Sequence, residues 1–133
     1  MGSRGAVHHL ELWVADLEAA DASLGWLLQA LGYELMDSWP VGRSWRLADA
    51  YIVLESGPDV LVQAHERRRP GMNHVAFHAG TERDVDDFTT EALRHGWSLL
   101  FADRHPHAGG PAHYAAYLEN DDGFEVELVA SST

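Results

Sequence analysis

The chain carries the same short pattern twice, and this repeat limits what it can fold into. The first copy is VHHLELWVAD at residues 7–16, and the second is MNHVAFHAGT at residues 72–81. Each copy places a histidine before alternating apolar residues, which is typical of a half-buried β-strand. Gly32 and Gly96 follow at matching points, so the chain is predicted to be a duplicated structural unit.

The first copy predicts a β-strand, a helix and three further strands. The opening strand covers residues 7–14, and an amphipathic helix follows between an N-cap at Asp16 and a terminal Gly32. Short β-prone runs separated by turn residues then predict strands at about 33–39, 44–47 and 51–55.

The second copy repeats this order. A strand at residues 74–78 precedes Thr81 and Asp84, which have the spacing of a helix capping box. Gly96 ends the predicted helix, and the NDDG sequence at 120–123 is a strong signal for a hairpin between the last two strands.

The predicted fold class is therefore α+β, with two tandem βαβββ modules forming one curved mixed sheet around a cleft and helices on the outer face. We expect a single domain over residues 1–133. Module one spans about 7–56, a linker about 57–71, and module two about 72–130.

The charge balance and the lack of cysteine limit which partners and which kinds of site the chain can have. Nine basic against 21 acidic residues give a net charge of −12, which repels phosphate backbones and anionic membrane surfaces. Nucleic acid and membrane are therefore not expected as partners. The absence of cysteine excludes disulfides and thiolate metal sites, and the sequence contains no apolar run long enough for a membrane span. We expect a soluble, cytoplasmic protein.

Strand alternation predicts which side chains share a face. Leucine and valine must cover the helix-packed core, so His9, His74 and Glu127 point to the opposite face of their strands. If the modules form one sheet, two imidazoles and one carboxylate converge on its concave side. Such a set suits one divalent ion of Fe, Mn, Ni, Co or Zn, with Glu55 as a candidate fourth ligand.

These segments resemble a known family. HHLELWV, NHVAFH and ENDDGFEVELV are similar to the corresponding segments of the vicinal oxygen chelate superfamily, over about residues 7–130. That superfamily includes glyoxalase I, extradiol dioxygenases, fosfomycin-resistance transferases and bleomycin-resistance proteins. The resemblance implies paired βαβββ modules around a metal cleft, and it implies a homodimer.

The resemblance also implies roles for individual residues. The metal ligands of the superfamily fall on His9, His74 and Glu127, and the additional glutamate of glyoxalase I falls on Glu55. The chain departs from the superfamily in having no lysine at all, because all nine basic residues are arginines. A lysine-assisted phosphonate or thiol site is therefore not expected.

Further candidates surround the predicted ligands. Glu125 shares the face of Glu127, and His113 and Tyr117 are placed on a strand near the cleft. These three are the candidate catalytic groups, because carboxylate, imidazole and phenol can all transfer protons. The candidate substrate contacts combine aromatic and imidazole side chains: Trp13, Trp45, His78 and His107. The arginines of ERRRPG are interpreted as a solvated run.

Two functions remain open at this point. The first is a metal-dependent enzyme that chelates oxygens of a small, aromatic or otherwise apolar substrate, as an isomerase, a lyase or a ring-cleaving dioxygenase. The second is a binding protein that sequesters a drug or natural product, as bleomycin-resistance proteins do, without catalysis. Because the superfamily supports many reactions, fold alone does not choose between them.

Overall fold

The computed structural model describes residues 2–131, which divide into two compact units at Ala64 and His65. Each unit contains one βαβββ module, so the predicted tandem architecture is confirmed. Strand pairing gives each unit a four-stranded mixed sheet of its own, where the sequence predicted one sheet across both modules. None of the helices in this described part of the chain is long and apolar enough to cross a membrane.

The first unit follows the predicted order. Its strands are β1 (His9–Trp13), β2 (Glu34–Trp39), β3 (Gly42–Leu47) and β4 (Ala50–Glu55). They lie in the order β1-β4-β3-β2, with β1 parallel to β4 and the other pairs antiparallel.

The helical segment of this unit differs from the prediction of one regular helix. It consists of α1 (Leu17–Ala20), a π-helical turn at Asp21–Gly25, and α2 (Trp26–Ala30). Gly25 permits the turn, because a Cβ atom there would lie 2.2 Å from Asp21 Oδ1. The ends are as predicted: Asp16 accepts hydrogen bonds from two backbone amides, and Gly32 has a φ of +106°.

The second unit repeats the sheet with a single helix. Its elements are β5 (Val75–Gly80), α3 (Glu82–Ala92), β6 (Trp97–Leu99), β7 (Ala115–Asn120) and β8 (Glu125–Ala130). The strand order is β5-β8-β7-β6, with β5 parallel to β8.

The predicted capping box of α3 is present in full. Thr81 Oγ1 accepts from the backbone amide of Asp84, and Asp84 Oδ2 accepts from that of Thr81. Val126 and Leu128 are fully buried, as the alternation of β8 predicted. This alternation leaves the intervening carboxylates on the opposite face of the sheet.

The second half of the predicted linker belongs to the second unit. Residues from His65 onward pack on the second unit, where the His65 amide donates to the carbonyl of Asp122 in the hairpin before β8. Phe124 stacks against the His65 ring at 4.6 Å. The end of the predicted linker is therefore fixed on the hairpin, and it brings Arg67 to the sheet.

Candidate functional site

Two buried carboxylates on β8 form the centre of the candidate site. Glu125 and Glu127 point to the face opposite Val126, yet their exposed fractions are only 2% and 6%. Burying a carboxylate is costly unless charged or hydrogen-bonding groups compensate it. The groups that approach these two side chains therefore indicate what the site is built to hold.

Glu127 lies between two imidazoles. His74 Nε2 is 3.0 Å from one carboxylate oxygen, and His113 Nε2 makes a short hydrogen bond with the other. His74 immediately precedes β5, and the parallel register places Ala76 opposite Glu127, so His74 reaches the carboxylate diagonally. One residue just before β5 and one from the loop before β7 thus meet at a single side chain of β8.

Tyr117 completes this arrangement on the other side of β8. The antiparallel register pairs Tyr117 with Glu127, and the Tyr117 ring lies 5.8 Å from that of His74, edge to face. Burial raises the pKa of the Tyr117 phenol, and the charge of Glu127 and a hydrogen bond to it raise the pKa further. These surroundings therefore favour the neutral phenol over the tyrosinate.

Glu125 has a different set of neighbours. Its Oε1 lies 3.4 Å from Arg67 Nη1 without a hydrogen bond, and its Oε2 lies 3.9 Å from His74 Nδ1. Arg67 also donates from Nε to Glu119 at 2.8 Å. Burial raises the pKa of Glu125, while the nearby His74 and Arg67 oppose that rise.

The loop before β7 supplies His113. The prediction placed His113 on a strand, but β7 begins at Ala115, so that placement is wrong. The loop nevertheless brings His113 to Glu127, and Gly109 allows it: a Cβ on Gly109 would lie 2.6 Å from both the His113 ring and the Tyr117 hydroxyl. His107 is exposed, with Nδ1 3.3 Å from the His113 carbonyl.

A second contact fixes this loop to α3. Tyr114 donates from its hydroxyl to Asp86 Oδ1 at 2.6 Å, and this hydrogen bond raises the pKa of Tyr114 to about 12. The His107 ring packs edge to face on Tyr114 at 5.6 Å. The loop that carries His113 is thus held at its C-terminal end.

The first module lacks the carboxylates of the second. His9 and His74 each precede the helix N-cap of their module by seven residues (16 − 9 and 81 − 74), so they occupy matching positions. His9 pairs with Tyr51, and extending the β5 register one residue back sets His74 opposite Glu125. Tyr51 therefore corresponds to Glu125. Val53, two residues after Tyr51, corresponds to Glu127, two residues after Glu125.

This register corrects the prediction for Glu55. Glu55 was predicted as a candidate fourth ligand, but it pairs with Trp13, four positions beyond the residue opposite His9, or about 13 Å along the strand. Trp39 Nε1 donates to its carboxylate at 3.3 Å. The structure does not bring Glu55 beside His9, whose ring instead stacks on Tyr51 at 4.8 Å.

The candidate substrate contacts separate into two groups. Trp13 lies on the face of His9, 49% exposed, with its indole nitrogen donating to Glu11 at 2.7 Å. His78 is exposed on β5 opposite Val129. Trp45 is only 7% exposed and shares the helix-covered face with Ile52. Its prediction as a substrate contact is therefore wrong, because it belongs to the core.

The donor chemistry of the second module fits a divalent cation. Imidazole nitrogens and a carboxylate are the donors that Zn(II), Fe(II) and related ions prefer, and two adjacent ligands at about 2.1 Å from one ion lie roughly 3 Å apart. The 3.0 Å between His74 Nε2 and Glu127 Oε1 matches that separation. The side chains now contact one another, and within residues 2–131 no three or more His, Asp or Glu groups are arranged to hold a metal ion.

Sequence reasoning missed two residues that contact this site. Arg67 was assigned to a solvated run, although its neighbour Arg68 is the one that pairs at the surface with Glu66. Asn73 was passed over beside His74, yet its Oδ1 lies 2.6 Å from His74 Nδ1. An amide next to a candidate ligand is a signal for a supporting hydrogen bond, whereas the position of Arg67 depends on the fold of the linker.

Comparison with known proteins agrees with this architecture. Residues 8–117 match the sequence profile of the Glyoxalase/Bleomycin resistance protein/Dioxygenase superfamily. The chain is 42% identical over 127 residues to the uncharacterised protein YqjT of Bacillus subtilis, covering 95% of this chain and 99% of that protein.

Solved structures show the same fold. A candidate glyoxalase of Bacillus halodurans is 40% identical, with a TM-score of 0.90 over 96% of this chain and 97% of that one. The lactoylglutathione lyase of Agrobacterium tumefaciens is 22% identical, with a TM-score of 0.64 over 96% and 95% of the two chains. At that identity, the second likeness concerns the fold alone.

Proposed function

Since the chain belongs to the glyoxalase/bleomycin resistance protein/dioxygenase superfamily, we propose that it is a divalent-metal-dependent enzyme acting on a small molecule. The observation that carries this proposal is the convergence of His74 and His113 on the two oxygens of the buried Glu127. His74 and Glu127 would hold the cation. His9 stays a prediction as a further ligand, and the homodimer also stays a prediction.

The cation would supply Lewis-acid chemistry, polarising oxygen atoms of the bound molecule. The protein supplies the proton transfers. His113 Nε2, which is hydrogen-bonded to a Glu127 oxygen, would accept or release a proton as a general acid or base. The Tyr117 hydroxyl, beside His74 and opposite Glu127, would donate a hydrogen bond to a developing negative charge.

Glu125 and Arg67 support these groups from beside the site. Glu125 places a carboxylate near His74 Nδ1, and Arg67 limits the cost of burying that carboxylate. The correction to Glu55 favours a set of three protein ligands over four. Three ligands leave positions open for two oxygens of a substrate, which isomerase, lyase and ring-cleaving dioxygenase chemistry can each use.

Metal binding tests this proposal first. Chelator-treated protein is titrated with Zn(II), Mn(II), Co(II) and anaerobic Fe(II), and bound metal is measured by calorimetry and elemental analysis. We expect binding to be lost in His74→Ala and Glu127→Gln and kept in His78→Ala, the matched control on the same strand face. Equal binding by all three variants would contradict the assignment, and His9→Ala tests the remaining predicted ligand.

A panel of substrates then separates the reaction classes. Catechol with oxygen uptake tests ring cleavage, a glutathione hemithioacetal tests the lyase reaction, and solvent deuterium exchange into a 1,2-dicarbonyl or 2-oxo thioester tests proton transfer. We expect turnover of one class to require the metal and to fall in His113→Gln. Full activity after metal removal would exclude the proposed enzyme.

A binding protein of the bleomycin-resistance kind is the second candidate. It is favoured by the first module, which presents the stacked His9 and Tyr51 rings and the exposed Trp13 without the buried carboxylates of the second. Tight binding of bleomycin that is equal with and without chelator, together with no turnover in the panel, would support this candidate over the enzyme.

A further inference from the structure

Asn73 connects the end of the linker to the candidate site. Its Nδ2 donates to the carbonyl oxygen of Arg67 at 3.0 Å, and its Oδ1 lies 2.6 Å from His74 Nδ1. The side chain therefore closes the segment between Arg67 and His74, directly before β5. Neither contact belongs to regular secondary structure.

The chemistry of the two contacts fixes the direction of the amide. A backbone carbonyl only accepts hydrogen bonds, so the NH2 group of Asn73 must face Arg67. The amide oxygen must then face His74, and since that oxygen only accepts, the proton of this contact belongs to His74 Nδ1. Nε2, on the other side of the ring, is directed at Glu127 Oε1.

We propose that Asn73 is a positioning residue, which accepts a hydrogen bond from His74 Nδ1 and directs Nε2 at Glu127 Oε1, where a bound cation would take the place of the proton between these two atoms. This inference rests on the proposed function for its purpose, although the hydrogen bonds themselves do not depend on it. Histidines that bind metals characteristically donate their second ring N–H to an oxygen acceptor, which fixes tautomer and ring orientation. Replacing such an acceptor typically lowers metal affinity about 10- to 100-fold.

Two substitutions of Asn73 distinguish the orientation of His74 from a purely structural role in holding the segment between Arg67 and His74. Asn73→Ala removes both contacts, whereas Asn73→Asp keeps an oxygen toward His74 Nδ1 and removes only the donor to the Arg67 carbonyl. If the acceptor matters, Asp must behave like Asn. If the link to Arg67 matters instead, both variants must lose function alike.

The first measurement uses metal-free protein. The Nδ1–H resonance of His74 is observed in ¹⁵N-labelled protein by NMR and is assigned by its disappearance in His74→Gln. We expect a hydrogen-bonded, slowly exchanging proton in the wild type and in Asn73→Asp, and its loss in Asn73→Ala. His65, whose Nε2 lies 3.1 Å from the Met72 carbonyl, is an internal control for the folding of the segment.

The second measurement is the affinity for Co(II) or Zn(II) by calorimetry. We expect Asn73→Ala to bind about 10- to 100-fold more weakly and Asn73→Asp to bind at least as tightly as the wild type. An unchanged Nδ1–H signal in Asn73→Ala, or an equal loss in both variants, would overturn the inference. If no protein binds metal while the NMR result holds, the proposed function fails and the role of Asn73 in orienting His74 stands.

Discussion

Val53 occupies the position in the first sheet that Glu127 occupies in the second. His9 and His74 lie equally far before their helices, and the strand registers place Tyr51 and Val53 where the second module has Glu125 and Glu127. The duplication has therefore kept the histidine in both copies and the carboxylates in one. The two modules therefore differ in the ionisable groups that they carry on this face.

This inequality predicts the stoichiometry of metal binding. We expect one equivalent of divalent cation per chain, not two, because only the second module places a carboxylate beside its histidine. Elemental analysis of protein saturated with Zn(II) and then desalted measures the ratio. A second equivalent that persists in Glu127→Gln would show an independent site in the first module and would contradict the prediction.

Trp13 and Trp45 should differ sharply in their effect on stability. Trp45→Ala removes a buried ring from the core of the first unit and should lower the free energy of unfolding by about 3–5 kcal/mol. Trp13→Ala removes a half-exposed ring and should cost less than about 1 kcal/mol. Urea unfolding followed by circular dichroism measures both, and equal costs would mean that Trp13 is also a core residue.

We predict that Gly123 is essential for the packing of the linker, at His65, against the hairpin before β8. Its φ is +87°, and an added Cβ would lie 2.0 Å from the carbonyl oxygen of His65. Gly123→Ala should therefore cost at least about 2 kcal/mol, from backbone strain and the displacement of His65 together. The measurement is again urea unfolding.

Gly71→Ala is the matched control for this change. Gly71 lies in the linker and also has a positive φ, of +131°, but no atom lies within 4 Å of its ideal Cβ position. It should show only the conformational strain, about 1–2 kcal/mol. If the two alanine variants cost the same, the close approach to His65 does not contribute.

The raised pKa of Tyr114 predicts that the folded protein loses stability at high pH. Because its hydrogen bond to Asp86 raises the pKa to about 12 in the folded protein, above the usual value near 10, the neutral phenol favours folding. The contribution is complete below about pH 10 and is lost as the pH rises through about 12. Absorbance titration of the tyrosinates should show a component near 12 that moves down in Asp86→Asn and disappears in Tyr114→Phe.

Much of the fold could be predicted from the sequence because its signals are local. Asp16, Thr81 and Asp84 cap their helices as expected, since capping depends on residues within one turn. The alternation of β8 correctly placed Val126 and Leu128 in the core. The π-helical turn was missed because the space at Gly25 is filled by Asp21, a contact that apolar periodicity does not report.

The sequence by itself determined the duplicated βαβββ architecture, the family resemblance and the face on which Glu125 and Glu127 lie. Hydrophobic periodicity and helix capping both depend on residues close together in the chain, so they can be recognised without the structure. Only the tertiary structure decided that Glu55 pairs with Trp13 and that Trp45 is buried. It also decided that His113 and Arg67 reach the carboxylates and that Asn73 contacts His74. These relationships depend on strand register and on the paths of two loops. Register and loop path are set by packing between distant segments, which one-dimensional periodicity does not encode.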